Sequence, residues 1–209
     1  MFSHCPVKAP LSTNIGKVIF LIAMLFGLGS PCLRAEPVED MLQRLAWPER
    51  PETAMLAFNE ERTFPFRRFP KRYTGKMYRS PEGDLAIVYD SPRSMRLLIR
   101  GDSIQLDDGS GALQTIPSDR FDGHAISDLL RGDVQQLKAN WNIEPTADGL
   151  KLSPKNDSIA ASIDFIEVYF ASQSVQSVRV HQRNQATRNY EFGEVVWTSG
   201  DDAATPFAN

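Results

Sequence analysis

Few residues of this 209-residue chain combine types and spacings that could do chemistry. Gly101-Asp102-Ser103-Ile104 has the order of an esterase nucleophile block, in which the serine attacks an acyl carbonyl. Such enzymes also need a downstream Asp-x-x-His to supply an oriented base. His181 is the downstream histidine, but Val178 stands where the aspartate belongs. The same four residues suit a hairpin turn. Asp107-Asp108-Gly109-Ser110-Gly111 offers oxygen ligands in the manner of a calcium loop but lacks the later glutamate of an EF-hand, and reads as a turn. His124 and His181 fall on different expected elements, which argues against a histidine metal site. No P-loop, G-x-S-x-G or dinucleotide fingerprint is present. The expectation is a non-enzyme with no catalytic residues, no metal and no cofactor.

Thiol chemistry depends on where the chain is cut. Val18 to Leu28 is an apolar run about half the ~20 residues that a membrane-spanning helix requires. Lys8 and Lys17 precede it and the small residue Ala35 follows, the layout of a cleaved export signal over residues 1–35. Both cysteines, Cys5 and Cys32, lie in that segment, so the mature chain from Glu36 has no thiol and no disulfide. Cys32 as a lipid-modified first residue would want a small residue before it, and Pro31 is a poor one. Removing Lys8, Lys17 and Arg34 leaves the mature chain more acidic than the −3 of the whole sequence. No nucleic-acid partner is expected of such a chain. The compartment expected is the periplasm.

The remaining apolar residues show two periods. Val38, Met41, Leu42 and Leu45 recur at helical spacing and stop before Pro48. Thereafter the period is two: Leu56 and Phe58, then Tyr73, Gly75 and Met77, then Leu85, Ile87 and Tyr89, then Met95, Leu97 and Ile99. The connections between them are short, so these strands are antiparallel neighbours. Ile126, Leu129, Leu130, Val134 and Leu137 form a second helical island broken or kinked at Gly132, with Ser127 and Asp128 as capping candidates. Strands resume over 141–146, 150–152, 163–170, 175–181 and 188–197. About ten strands with so few helices predict a mainly β (α+β) domain over 36–198, a curved antiparallel sheet forming an unclosed half-barrel under a helical lid. Residues 199–209 read as a disordered tail.

The order of several short motifs carries a resemblance. Phe58-Asn-Glu-Glu-Arg62, Gly75-Lys-Met-Tyr-Arg-Ser-Pro81, Leu97-Leu-Ile-Arg-Gly-Asp-Ser-Ile-Gln-Leu106, Leu129-Leu-Arg-Gly-Asp133, Gly149-Leu-Lys-Leu-Ser-Pro154 and Phe165-Ile-Glu-Val-Tyr-Phe170 follow one another. In this order the chain resembles the LolA-like family of periplasmic outer-membrane lipoprotein carriers, in its LolA-related branch. The resemblance implies an acylated lipoprotein or lipid cargo, an inner-membrane donor and an outer-membrane acceptor. It also implies that the concave sheet face holds acyl chains. The candidates there are Leu56, Phe58, Met77, Leu85, Ile87, Tyr89, Met95, Leu97 and Ile99, with lid contributions from Leu129, Leu130 and Leu137. The competing reading is that these residues fill a core. The chain is expected to act as a monomer.

Family members place an arginine directly before the proline that ends the second strand, where it bonds the lid. Here Arg79-Ser80-Pro81 sets the arginine one position early, which by the two-residue period turns it to the other face of the sheet. A lid contact and a solvated arginine are both open for Arg79. Phe64 to Tyr73, basic and aromatic, is either a solvated hairpin loop or a docking surface for an acidic partner or anionic headgroups. Two other functions share these residues: an enzyme or enzyme accessory acting on acyl or polyketide lipids, and a ligand-free scaffold.

Overall fold

From Thr53 onward, alternation of apolar and polar side chains builds strands with one buried face. The computed structural model describes residues 37–101, 103–110, 112–117, 124–200 and 204–208, the side chains of 124–126 excepted. The leader, with Val18 to Leu28, both cysteines and Ala35, lies outside the described residues, as do Asp102 and Gly111. The chain runs α1 (Val38–Gln43), β1 (Thr53–Thr63), β2 (Lys71–Arg79), β3 (Leu85–Ser91), β4 (Met95–Arg100), β5 (Ser103–Asp107) and β6 (Leu113–Ile116). Then come α2 (His124–Arg131), α3 (Val134–Asn140), β7 (Trp141–Pro145), β8 (Gly149–Pro154), α4 (Asp157–Ala160), β9 (Ile163–Ala171), β10 (Ser174–Gln182), β11 (Thr187–Phe192) and β12 (Val196–Thr198).

Among the described residues all twelve strands join one antiparallel sheet in the order β6-β5-β4-β3-β2-β1-β11-β10-β9-β8-β7, with β12 also on β1. Strands β6 and β7 each keep one neighbour, so the sheet is an unclosed half-barrel. The pairing of β1 with β11 joins the two ends of the domain in the middle of the sheet.

Two strands exceed the expectation of ten. Strand β6 has four residues, too few to show an alternation. The expected strand over 188–197 is two, because between the pairs Phe58↔Phe192 and Met55↔Val196 strand β1 supplies two residues and its partner three. The amide of Gly193 donates to the Ala57 carbonyl at 2.9 Å inside this bulge.

Register sorts the side chains. Leu56, Met77, Ile87, Leu97 and Leu106 stand opposite one another across five strands. Ala54, Arg79, Leu85, Ile99, Ile104 and Ile116 form the adjacent row on the same, inner face. Met41, Leu42, Leu45, Leu129 and Leu137 pack onto that face and close much of the concavity. Phe58 stands opposite Gly75, where a Cβ would sit 2.8 Å from the Phe58 ring and 2.2 Å from the Val88 carbonyl. Glycine is required there because only a bare backbone lets the ring lie across β2.

The helical island is broken at Gly132, as its sequence indicates. Ser127 and Asp128 do not cap it: they lie inside α2, and the Asp128 carboxylate accepts from Asn140 Nδ2 at 3.1 Å. The cap is Asp133, which accepts from the amides of Gln135 and Gln136 at 3.0 Å each and starts α3. The tail also departs from expectation. Thr205–Phe207 forms a 3₁₀ turn packed against β3. Arg96 donates to the Ala208 carbonyl at 2.8 Å, and Arg100 donates to that of Phe207. Arg96 and Arg100 thus hold this turn against the outer face of the sheet.

Candidate binding cavity

Between the segment after α1, the end of α2 and strands β1, β10, β11 and β12 lies a partly open cavity of about 310 Å³. Its lining is mostly apolar: Leu45, Trp47, Leu56, Leu129, Leu130, Val175, Val178, Phe192, Val195 and Trp197, with Arg44 and Glu194 among its polar neighbours. The β11–β12 bulge contributes Gly193, Glu194 and Val195 to the wall, and Val195 and Val196 are exposed beside it. A volume near 300 Å³ is at the small end of ligand pockets.

Trp47 ties the segment after α1 to the end of α2 beside this cavity. Its indole Nε1 donates to the Leu130 carbonyl at 2.7 Å, satisfying one of the free carbonyls at the end of α2. Gly132, at φ +69°, brings the α2–α3 turn so close that a Cβ would lie 2.3 Å from the Leu45 carbonyl. Trp197 meets Trp47 edge to face at 6.4 Å. The Arg79 guanidinium lies 5.8 Å from the Trp47 ring. Register therefore corrects the expected orientation of Arg79: it shares the inner face with Met77 and Leu85. Its buried Nε has no hydrogen-bond partner among the described residues, and burial lowers its pKa.

Of the twelve apolar side chains singled out in the sequence, Leu56, Leu129 and Leu130 line this cavity. Met77, Leu85, Leu97, Ile99 and Leu137 are buried in the core with α1 and α2, and Ile87 and Met95 pack against it. Phe58 and Tyr89 meet edge to face at 5.2 Å toward the other end of β1. Trp47, Val175, Val178, Phe192 and Trp197 were not anticipated. Each lies within a few residues of a break in periodicity, at Pro48, at a β-bulge or at Gly193.

The far end of the concavity is closed by a buried ion pair. Glu60 is 1% exposed; its carboxylate accepts from Arg62 at 2.6 and 2.8 Å and from the Tyr89 hydroxyl at 3.0 Å. The Arg62 guanidinium lies 4.2 Å from the Tyr73 ring. Burial pulls the Arg62 pKa down, but its hydrogen bond to Glu60 and the attraction of that charge outweigh this and raise it. The two-residue period could have revealed this pair, since positions 60 and 62 are in phase with Leu56 and Phe58.

Burial, and then the Glu60 carboxylate, hold the Tyr89 and Tyr190 phenols well above the usual tyrosine range. The sign of the pH effect follows. Above pH ~10 the unfolded chain releases protons that the folded one keeps, so stability present below that pH is lost as pH rises, by up to ~1.4 kcal/mol per pH unit for each tyrosine. Thermal midpoints should fall between pH 10 and 12, and less steeply in Tyr89→Phe than in the parent. Equal slopes would show that Tyr89 ionises freely.

The other sequence motifs are structural. Gly101, at φ +50°, turns β4 into β5, and Ser103 opens β5. His181 lies on β10, six strand spacings away in the sheet, or roughly 29 Å at ~4.8 Å each. Its Nε2 is 2.9 Å from the Glu167 carboxylate and its ring stacks on Phe165 at 4.1 Å. Asp107 and Asp108 accept from the amides of Gly109 and Ser110 in side-chain turns. Asp108 also pairs with Arg93 at 3.3 Å and Asp107 with Arg96 at 3.7 Å. The His124 side chain lies outside the described residues. Among the described residues no three metal-ligating side chains cluster, and no helix is long and apolar enough to cross a membrane.

No protein-family model matches the chain, and no curated protein matches it in sequence. Solved structures do match. A LolA superfamily protein of Nitrosomonas europaea superposes with a TM-score of 0.51 at 8% identity, covering 81% of this chain and 97% of that one. A DUF1329 family protein from Desulfovibrio piger gives 0.46 at 10%, covering 79% and 94%. A chain of the MucA/MucB complex from Pseudomonas aeruginosa gives 0.43 at 8%, covering 82% and 59%. The first of these establishes a shared fold, and the fold of this chain is LolA-like.

Proposed function

We propose that the chain is an exported carrier that shields an acyl chain of a lipid or lipoprotein in the periplasm and passes it from an inner-membrane donor toward an outer-membrane acceptor, without catalysing a reaction. The observation that carries this reading is the apolar cavity of about 310 Å³ beside the contact of Trp47 with Leu130. A carrier must bury methylenes worth ~0.8 kcal/mol each and still release them, so it needs an apolar wall and a door that opens at low energy. We take the Trp47 side chain alone as that door, with one indole hydrogen bond and two ring contacts, while the leucines of α1 and α2 stay packed in the core. Arg79 then acts as the lid contact, through Trp47. The leader over residues 1–35 supplies export.

The buried rows around Leu97 favour a smaller ligand surface than the whole sheet face, restricted to Leu56, Leu129, Leu130 and the side chains beside them. The test is binding of a fluorescent fatty-acyl probe to the parent and to Val175→Trp. Val175 is half-buried on the cavity wall, so the larger ring enters existing space. Displacing two or three methylenes at ~0.8 kcal/mol each should weaken binding roughly 15- to 60-fold, with an unchanged thermal midpoint. A parent that binds no acyl probe would leave the scaffold reading. A variant that binds as well as the parent would move the site elsewhere.

A further inference from the structure

The β1–β2 hairpin ends in Phe64-Pro-Phe-Arg-Arg-Phe-Pro70, and its rings are uncovered: Phe66 is 78% and Phe69 72% exposed. The other large apolar side chains exposed among the described residues are Val195 and Val196 at the β11–β12 bulge. Two bare aromatic rings at one tip are unfavourable in water and mark a contact surface. The tip is also cationic. Arg67 lies 5.7 Å from the Phe64 ring and 6.0 Å from that of Phe66, and Arg68 lies 5.4 Å from Phe69. Arg72 is engaged by Glu61 at 3.0 Å, whereas Arg67, Arg68 and Lys71 have no carboxylate partner among the described residues.

The tip is built to hold this arrangement. Strands β1 and β2 pair without a break as far as Arg62↔Lys71, and the Arg67 amide closes a turn onto the Phe64 carbonyl at 3.1 Å. Pro65 and Pro70 restrict the loop on either side.

We propose that this hairpin docks the protein on an anionic bilayer, with Phe66 and Phe69 entering the boundary between headgroups and acyl chains and Arg67, Arg68 and Lys71 meeting lipid phosphates. Rings and guanidinium groups on one tip match a surface that is apolar just beneath a layer of negative charge. An acidic protein would satisfy the cations and leave the outward rings unexplained. Leu56, on the cavity wall, precedes Phe64 by eight residues, about 27 Å of extended strand, so a docked tip leaves the cavity at the opposite end of β1 free. This inference stands independently of what the cavity carries.

The test is sedimentation of the chain, as recovered from the cells that export it, with vesicles of phosphatidylcholine alone or mixed with phosphatidylglycerol. The parent should sediment with the anionic vesicles, and added salt should weaken this. Phe66→Ser with Phe69→Ser should lower partitioning by roughly tenfold for each ring. Arg67→Gln with Arg68→Gln should abolish the preference for anionic lipid. Val196→Ser, exposed but away from the tip and outside the cavity lining, should sediment like the parent. Thermal midpoints of the tip variants should match the parent, since the replaced side chains are exposed. A parent that ignores both vesicle types, or phenylalanine variants that sediment unchanged, would overturn the proposal. So would binding to polyglutamate without binding to vesicles, which assigns the tip to an acidic protein.

Discussion

Leu97→Glu should leave the chain largely unfolded at room temperature. Leu97 is 5% exposed in the middle of its row, between Ile87 and Leu106 on neighbouring strands, inside the cluster that includes Met41, Leu42 and Leu137. The substitution removes a packed side chain, worth about 2–5 kcal/mol, and puts a carboxylate or a neutral acid in its place, at a further cost of several kcal/mol. Domains of this size have roughly 5–15 kcal/mol of stability in all, so little remains. Thermal melting by circular dichroism is the measurement, with Leu97→Met as the control expected to lose under ~1.5 kcal/mol. A glutamate variant that melts cooperatively within a few degrees of the parent would mean that water already reaches this row and that the acyl site extends along the sheet.

Glu60→Ala should cost about 3–5 kcal/mol, because it strands the Arg62 guanidinium in a site closed by Tyr73, Tyr89 and Tyr190. The Arg62 side chain retains 20% exposure, which places the effect at the lower end of that range. Replacing both partners, as Glu60→Leu with Arg62→Leu, should recover much of the loss, since the penalty comes from the unpaired charge. Urea unfolding of the two variants distinguishes the cases. If the double variant is no more stable than Glu60→Ala, the pair holds the strand ends by geometry and the unpaired charge is not the cause. Acyl-probe binding should survive in any variant that remains folded, because the pair lies away from the cavity lining.

The sequence determined the meander, the two helical segments and the inner rows, since alternation along one strand and short turns between strands are local properties. Met77, Leu85, Leu97 and Ile99 were legible as inward residues for that reason. Whether inward meant ligand or core was not legible. That depends on how deeply α1 and α2 settle onto the sheet, and the contacts that set it, Trp47 Nε1 to the Leu130 carbonyl and Gly132 against Leu45, join residues more than eighty positions apart. The same limit hid the cavity. Its walls come from β1, from α2 and from a bulge near the end of the chain, and a bulge reverses the two-residue phase on which the reading relies. Counting from the neighbouring proline leaves lid contact and solvent both open for Arg79; the pairing Arg79↔Leu85 sets its direction. Glu60 and Arg62 are in phase with the core, and only the approach of Tyr73 and Tyr89 makes the interior a place where a paired charge is stable. Local periodicity set which side chains turned inward, and long-range packing decided which of them meet each other and which meet an empty space.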